Sequence, residues 1–141
     1  MIVRFAVQKD YEGIAELIIN ELGYKNQKHE DIYTRLSIIE RNNSYQTLVA
    51  CIDDAVVGFI GLRRTVTYES DEYITILAFA VSEKYQRQGI GKALLSALTD
   101  YAEKHYIKRI KVSCALHRMN SHLFYESNNF ERVAYTFIKD L

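Results

Sequence analysis

Nine consecutive residues, Tyr73–Val81 (YITILAFAV), carry no charge, and Thr75 is their only strongly polar member. A run of that length and composition between polar stretches suits a strand covered on both faces, which belongs inside a sheet rather than at its edge. The rest of the chain must supply neighbouring strands and helices to cover it. With 141 residues there is material for one domain, residues 1–141, burying roughly 68% of the surface its unfolded chain exposes. Hydrophobic residues at 48% and charged residues at 26% fit an ordinary globule and exclude a disordered chain.

The flanking segments read as follows. Residues Ile2–Val7 predict a first strand. Asp10 predicts the cap of a helix whose buried stripe is Ile14, Leu17, Ile18 and Leu22, ended by Gly23. A second helix is expected from about His29 to Arg41. Tyr45–Ile52 and Ala55–Tyr68 predict a hairpin around Asp53-Asp54. After the apolar run, Gly89 opens a helix to about Lys104 with Ile90, Leu94 and Leu98 inward. Arg109–Ser113 predicts a strand, Ser121–Ser127 a short helix and Phe130–Lys139 a last strand. The fold class expected is α/β (α+β): a mixed, mostly antiparallel twisted sheet with helices on both faces. With no proline and six glycines, no linker or domain boundary is marked.

Charge narrows the function classes. Eighteen Lys+Arg against eighteen Asp+Glu leave no net charge, which argues against a protein held on nucleic acid by global charge. The N-terminal MIVRFAVQKD is too interrupted for a signal peptide, and nothing approaches the ~20 apolar residues of a membrane span. The expectation is a cytoplasmic protein with no membrane partner. Cys51 and Cys114 read as two buried thiols rather than a disulfide framework. Cys114, His117 and His122 do not have the spacing of a zinc site, so no metal is expected.

Chemistry concentrates in Val81–Leu95. A buried strand ends, a polar loop follows, and Gly89-x-Gly91 begins a helix. Glycines there allow close approach of a ligand, and the first-turn N–H groups with the helix dipole form an anion site that Arg87 and Lys92 reinforce. Two familiar phosphate loops fail. A P-loop would need glycine at Gln86 and Ser or Thr at Ala93, and a dinucleotide fingerprint would need glycine at Leu94 directly after the strand.

Gln86-Arg87-Gln88-Gly89-Ile90-Gly91 does fit the Q/R-x-x-G-x-G/A pyrophosphate loop, and the chain resembles the GCN5-related N-acetyltransferases over almost its whole length. His117-Arg118, Ser121-His122, Phe124-Tyr125, Asn129-Phe130 and Phe137-Ile138-Lys139-Asp140-Leu141 resemble the C-terminal pattern of small members, among them aminoalkylphosphonate acetyltransferases. The resemblance implies transfer of an acetyl group from acetyl-CoA to a primary amine of a small molecule, or to an exposed amino group, by direct attack. The alternative is a CoA-binding module of the same fold without transfer.

It further implies that Gln86, Arg87, Gln88, Gly89, Ile90, Gly91 and Lys92 hold the pyrophosphate. Phe79, Ala80 and Val81 would line the pantetheine and offer a main-chain N–H to the thioester oxygen. Asn120 would lie near CoA while capping the last helix. Tyr125 would protonate the departing thiolate, and His122 would be a packing or hydrogen-bonding residue. Many relatives carry a glutamate on the central strand; Tyr73–Val81 has none, with Thr75 and Ala78 at inward positions. Glu69, Asp71 and Glu72 lie just before it. Asn129 stands where the family usually has glycine, in a turn asparagine tolerates. The apolar last strand suits a homodimer.

Overall fold

The apolar run forms β4 (Tyr73–Val81), bracketed on each side as the sequence requires. The computed structural model describes all residues, 1–141, as two compact units, Met1–Lys111 and Val112–Leu141. Its five-stranded sheet has the order β1-β2-β3-β4-β5, with β1 at Ile2–Phe5, β2 at Tyr45–Ile52, β3 at Ala55–Thr65 and β5 at Ile110–Val112. The first three ladders are antiparallel. Ile52 opposes Ala55 across a two-residue turn in which Asp53 and Asp54 have φ of 51° and 64°, the left-handed pair that a type I′ hairpin requires.

Helices α1 (Tyr11–Asn20) and α2 (His29–Glu40) bury Ile14, Leu17, Ile32 and Leu36 against Val49, Cys51, Phe59 and Ala80 of the sheet. Helix α3 (Ile90–Lys104) lies on the opposite face and buries Ile90, Leu94, Leu98 and Tyr101. It comes close to the strands because β3 has a glycine beneath it. A Cβ on Gly58 would sit 3.1 Å from Leu94 Cδ1, 3.2 Å from Ile90 Cγ2 and 3.2 Å from the Ala80 carbonyl oxygen. Residue 58 thus sets the height of the first turn of α3 above the sheet.

Three sequence expectations change. Asp10 does not cap α1 through its side chain. Its carboxylate reaches back to accept the Val7 N–H at 2.8 Å and the Arg4 guanidinium at 2.7 and 3.0 Å. That holds a 3₁₀ turn, Gln8–Asp10, against β1, and Asp10 is buried. Asn120 is not the cap of the last helix, because α4 starts two residues before the expected Ser121 and spans Met119–Ser127. The expected strand Phe130–Lys139 is not formed: residues 130–141 have no ladder. Alternation of apolar residues makes a segment able to pair but supplies no partner.

Candidate active site

The central strand changes phase partway along. Gly61 opposes Ala78 and Leu62 opposes Ile76, so Leu77 is an extra residue on β4, a bulge, and its side chain is 45% exposed where burial on both faces was expected. Before the bulge, the Ile74 N–H points away from β3 and donates to the Arg109 carbonyl at 2.9 Å. After it, the Ser82 N–H points toward β3 and donates to the Val57 carbonyl at 2.7 Å. Alternation along a strand then turns the N–H groups of Phe79 and Val81 to the side away from β3.

The loop that follows is pinned to this strand end. Gln86 Nε2 donates to the Val81 carbonyl at 3.2 Å, and Tyr85 N–H to the Ser82 carbonyl at 2.9 Å. The backbone then adopts the left-handed region twice, at Arg87 (φ 65°) and Gly89 (φ 79°). For arginine that conformation costs about 1–2 kcal/mol and has to be held by its surroundings. An added Cβ at Gly89 would meet nothing within 4 Å, so packing does not demand the glycine. The left-handed φ does, and the space above it is open.

Gly89 is the N-cap of α3 and brings no side-chain hydrogen bond to the first turn. The first intrahelical bond is from Ala93 N–H to the Gly89 carbonyl, 2.9 Å. The N–H groups of Ile90, Gly91 and Lys92 are therefore the donors a helix start leaves for an outside acceptor. Ile90 is buried, so only its main chain faces outward, whereas Arg87, Gln88 and Lys92 are exposed. No acid lies in the first turn. The charge, the open glycine and the uncapped N–H groups together fit an anionic diphosphate.

Residues before and along β4 are partly committed elsewhere. Glu72 pairs with Arg64 at 2.7 Å, and Thr75 shares a hydrogen bond with Thr65 at 2.9 Å. Ala78 packs against the core. Glu69 and Asp71 are exposed. A groove of about 870 Å³ that the sequence does not advertise runs from α1 to Ser82–Tyr85. Among its carboxylates Asp10 is held by Arg4, Glu16 by His29 at 2.7 Å, and Glu21 by the Glu83 N–H at 3.0 Å, so these are structural anchors.

The second unit carries the remaining sequence-predicted residues. Tyr125 lies on α4, half-buried, with edge contacts to Phe124 and Phe130 at ring separations of 5.7 and 5.4 Å. Burial pushes its phenol up to about 12; the Cys114 thiol adds to the shift and Arg118 opposes it. His122 Nε2–H donates to the Ala115 carbonyl at 2.8 Å, which makes it the hydrogen-bonding residue expected. Asn120 and His117 are exposed, and Cys114, His117 and His122 do not assemble into a group that could hold a metal. Asn129 has φ 70°, the left-handed turn expected of it.

The family profile described as acetyltransferase (GNAT) matches residues 6–130, across both units. The chain belongs to the GNAT family. N-acetylaspartate synthetases of Rattus norvegicus and Homo sapiens are each 27% identical over 85 residues. The match covers 60% of this chain but only 27% of either relative, so the chain spans about a quarter of their length. A transcriptional regulator from Bacillus halodurans C-125 has a TM-score of 0.88 at 22% identity, covering 99% of both chains. AAC(6')-Iy, solved with the bisubstrate analogue CoA-S-monomethyl-acetylneamine, has a TM-score of 0.85 at 12% identity, covering 99% of this chain and 97% of that one. At such identities these structures speak for the GNAT fold.

Proposed function

We propose that residues 1–141 act as one N-acetyltransferase domain, moving the acetyl group of acetyl-CoA to a primary amine of a small molecule or an exposed amino group. The observation that carries this reading is the glycine loop. In a GNAT chain, a left-handed pair at Arg87 and Gly89 opens an uncapped helix start directly after a bulged central strand. The sequence relatives are named for N-acetylation, as N-acetylaspartate synthetases.

When bound, acetyl-CoA supplies an activated acyl group and a thiol leaving group. The protein's part divides among its residues. The main chain of Arg87–Lys92, with the Arg87 and Lys92 charges, holds the diphosphate. The outward N–H groups of Phe79 and Val81, flanking Ala80, hold the pantetheine arm and polarise the thioester oxygen. Gln86 fixes the loop to Val81. Tyr125 keeps its proton at any physiological pH and offers it to the sulfur as charge develops there.

Strand β4 contributes no general base. The amine therefore loses its proton to water or through the exposed Glu69 and Asp71, and kcat/KM should rise with pH toward the amine's own pKa, about 10. The missing acid is also the one observation that favours a CoA-binding module without transfer. Thiol release from acetyl-CoA across a panel of primary amines decides between them. Release with at least one amine supports the enzyme, and calorimetric binding of acetyl-CoA with no release from any amine supports the module. No helix is long and apolar enough to cross a membrane. We place the activity in the cytoplasm, which cell fractionation tests.

A further inference from the structure

Arg63 and Arg64 are consecutive on β3 and point to opposite faces of the sheet. Arg64 is neutralised by Glu72 at 2.7 Å. Arg63 has no carboxylate within ion-pair distance, and neither has Lys111 of β5, although both are half-buried. Tyr45 opposes Arg63, Arg63 opposes Thr75, and Thr65 opposes Tyr73. Opposed residues and alternate residues share a face. All of these therefore lie on the face of Phe59 and Ala78, which α1 and α2 cover further along the sheet. Lys111 joins the same face, its Nζ 4.2 Å from the centre of the buried Tyr73 ring.

The Arg63 guanidinium is held from two sides. Its Nε–H donates to Thr65 Oγ1 at 3.3 Å, and its carbon lies 6.0 Å from the centre of the Tyr45 ring. Thr65 Oγ1 is fixed in turn by Thr75 Oγ1 at 2.9 Å. What remains is the forked end, Nη1 and Nη2, with no acceptor in the chain. A guanidinium oriented in this way and lacking a counter-ion matches a planar carboxylate, which takes two parallel N–H bonds. Lys111 adds a point charge without directional demand. Two cations on one face repel a second ammonium, so a diamine is the poorest match. On the proposed reading the Phe79 N–H turns toward the thioester, and Phe79 lies four positions beyond Thr75 on β4. At about 3.3 Å per residue that is roughly 13 Å, shortened by the bulge. An acceptor reaching from one to the other carries its amine and its acid several bonds apart.

We propose that the acceptor is an aminocarboxylate, an amine with a carboxylate several bonds away, and that the Arg63 fork and Lys111 hold that carboxylate. This rests on the acetyl-transfer reading and narrows its acceptor. Arg63 sets specificity and takes no part in moving the acetyl group.

The test uses the full chain with acetyl-CoA and follows thiol release. Straight-chain ω-aminocarboxylates of about three to six carbons are compared with alkylamines and diamines of the same length. At the best length the aminocarboxylate should exceed the alkylamine in kcat/KM by about tenfold or more, since charge-assisted hydrogen bonds are at stake. Arg63→Gln should bring that ratio below about threefold. Lys111→Gln should lower it by roughly threefold, as befits a point charge. Arg63→Glu should invert the choice and favour the diamine, which mere damage to the fold would not do. Acetyl-CoA affinity by calorimetry should hold in all three. A wild-type ratio near one, or a ratio that Arg63→Gln leaves unchanged, would overturn the inference while acetyl transfer stands. If no amine releases thiol, acetyl transfer falls, and calorimetry of the aminocarboxylate on the CoA-loaded protein decides. Binding lost in Arg63→Gln would then support the carboxylate site, and no binding would overturn it.

Discussion

Tyr125→Phe removes one hydroxyl and keeps the ring that contacts Phe124 and Phe130. Burial has pushed this phenol up to about 12, while a thiol has an ordinary pKa of about 8.5. Handing the proton fully to a thiolate would then be uphill by about 5 kcal/mol, at 1.36 kcal/mol per unit. In the proposed role the hydroxyl would serve the sulfur by hydrogen bonding to it as negative charge grows, and such charge-assisted bonds contribute about 1.5–3 kcal/mol. The expected loss is therefore roughly 10- to 100-fold in the chemical step, with acetyl-CoA affinity unchanged, the pattern of an interaction made in the transition state. Single-turnover acetyl transfer with saturating acetyl-CoA reads the step directly and removes any masking by product release. A variant within about twofold of wild type would refute the role. The pH profile gives a second reading: the Tyr125-dependent part of the rate should stay level through pH 10 and fall only as pH passes about 12. A descending limb near 10 that disappears in Tyr125→Phe would refute the buried environment.

Gly91→Glu should reduce acetyl-CoA affinity sharply, by bulk and by like charge against the diphosphate. Its melting temperature should hold, because a carboxylate in the first turn of α3 suits the helix dipole; unchanged affinity by calorimetry would move the cofactor elsewhere. Gly58→Val adds methyl groups where even a Cβ comes within 3.1–3.2 Å of Leu94, Ile90 and the Ala80 carbonyl. It should cost about 1–3 kcal/mol in chemical denaturation and weaken acetyl-CoA binding together. Asp10 is held below its ordinary value by hydrogen bonds from Arg4, with the Val7 N–H adding and burial opposing. A lowered pKa contributes stability above the unfolded value that disappears as pH falls through the folded one, so the wild type should lose stability below pH 3.8. Asp10→Asn should lack that acid limb and melt roughly 4–8 °C lower at neutral pH, for a loss of about 2 kcal/mol. Dialysis against EDTA should leave thiol release unchanged, and loss of activity restored by zinc would return Cys114, His117 and His122 to consideration.

Where sequence and structure agree, a local pattern had one physical solution. An uncharged nine-residue run has few places to go except inside a sheet, and Asp53-Asp54 between two apolar strands can turn through left-handed geometry. Gly89 before an amphipathic stripe marks a helix start. The departures come from choices that residue type does not encode. A carboxylate at position 10 can cap forward or reach back, and the nearness of Arg4 and the Val7 N–H decides it. Arginine gives no hint of a left-handed φ, so Arg87 was legible as a charge and not as a bend. The bulge at Leu77 is invisible in a run whose residues are all apolar, because shifting the phase changes which face each occupies without changing composition. Residues 130–139 announced a strand, but a strand is a relation between two segments, and this one names only half of it.

The bulge at Leu77 has a consequence for how such a chain can vary. On the proposed reading it sets which main-chain donors turn toward the thioester, Gly89 sets where the diphosphate is cradled, and the two would hold opposite ends of the pantetheine arm. The residues between them act as a ruler. Side chains along that stretch can be exchanged wherever packing allows, but their number is tied to the length of a molecule the protein does not make. An insertion or deletion in this part of the chain should therefore cost acetyl-CoA binding, whereas one in the turn at residues 66–72 or in the connection between α1 and α2 should leave it unchanged.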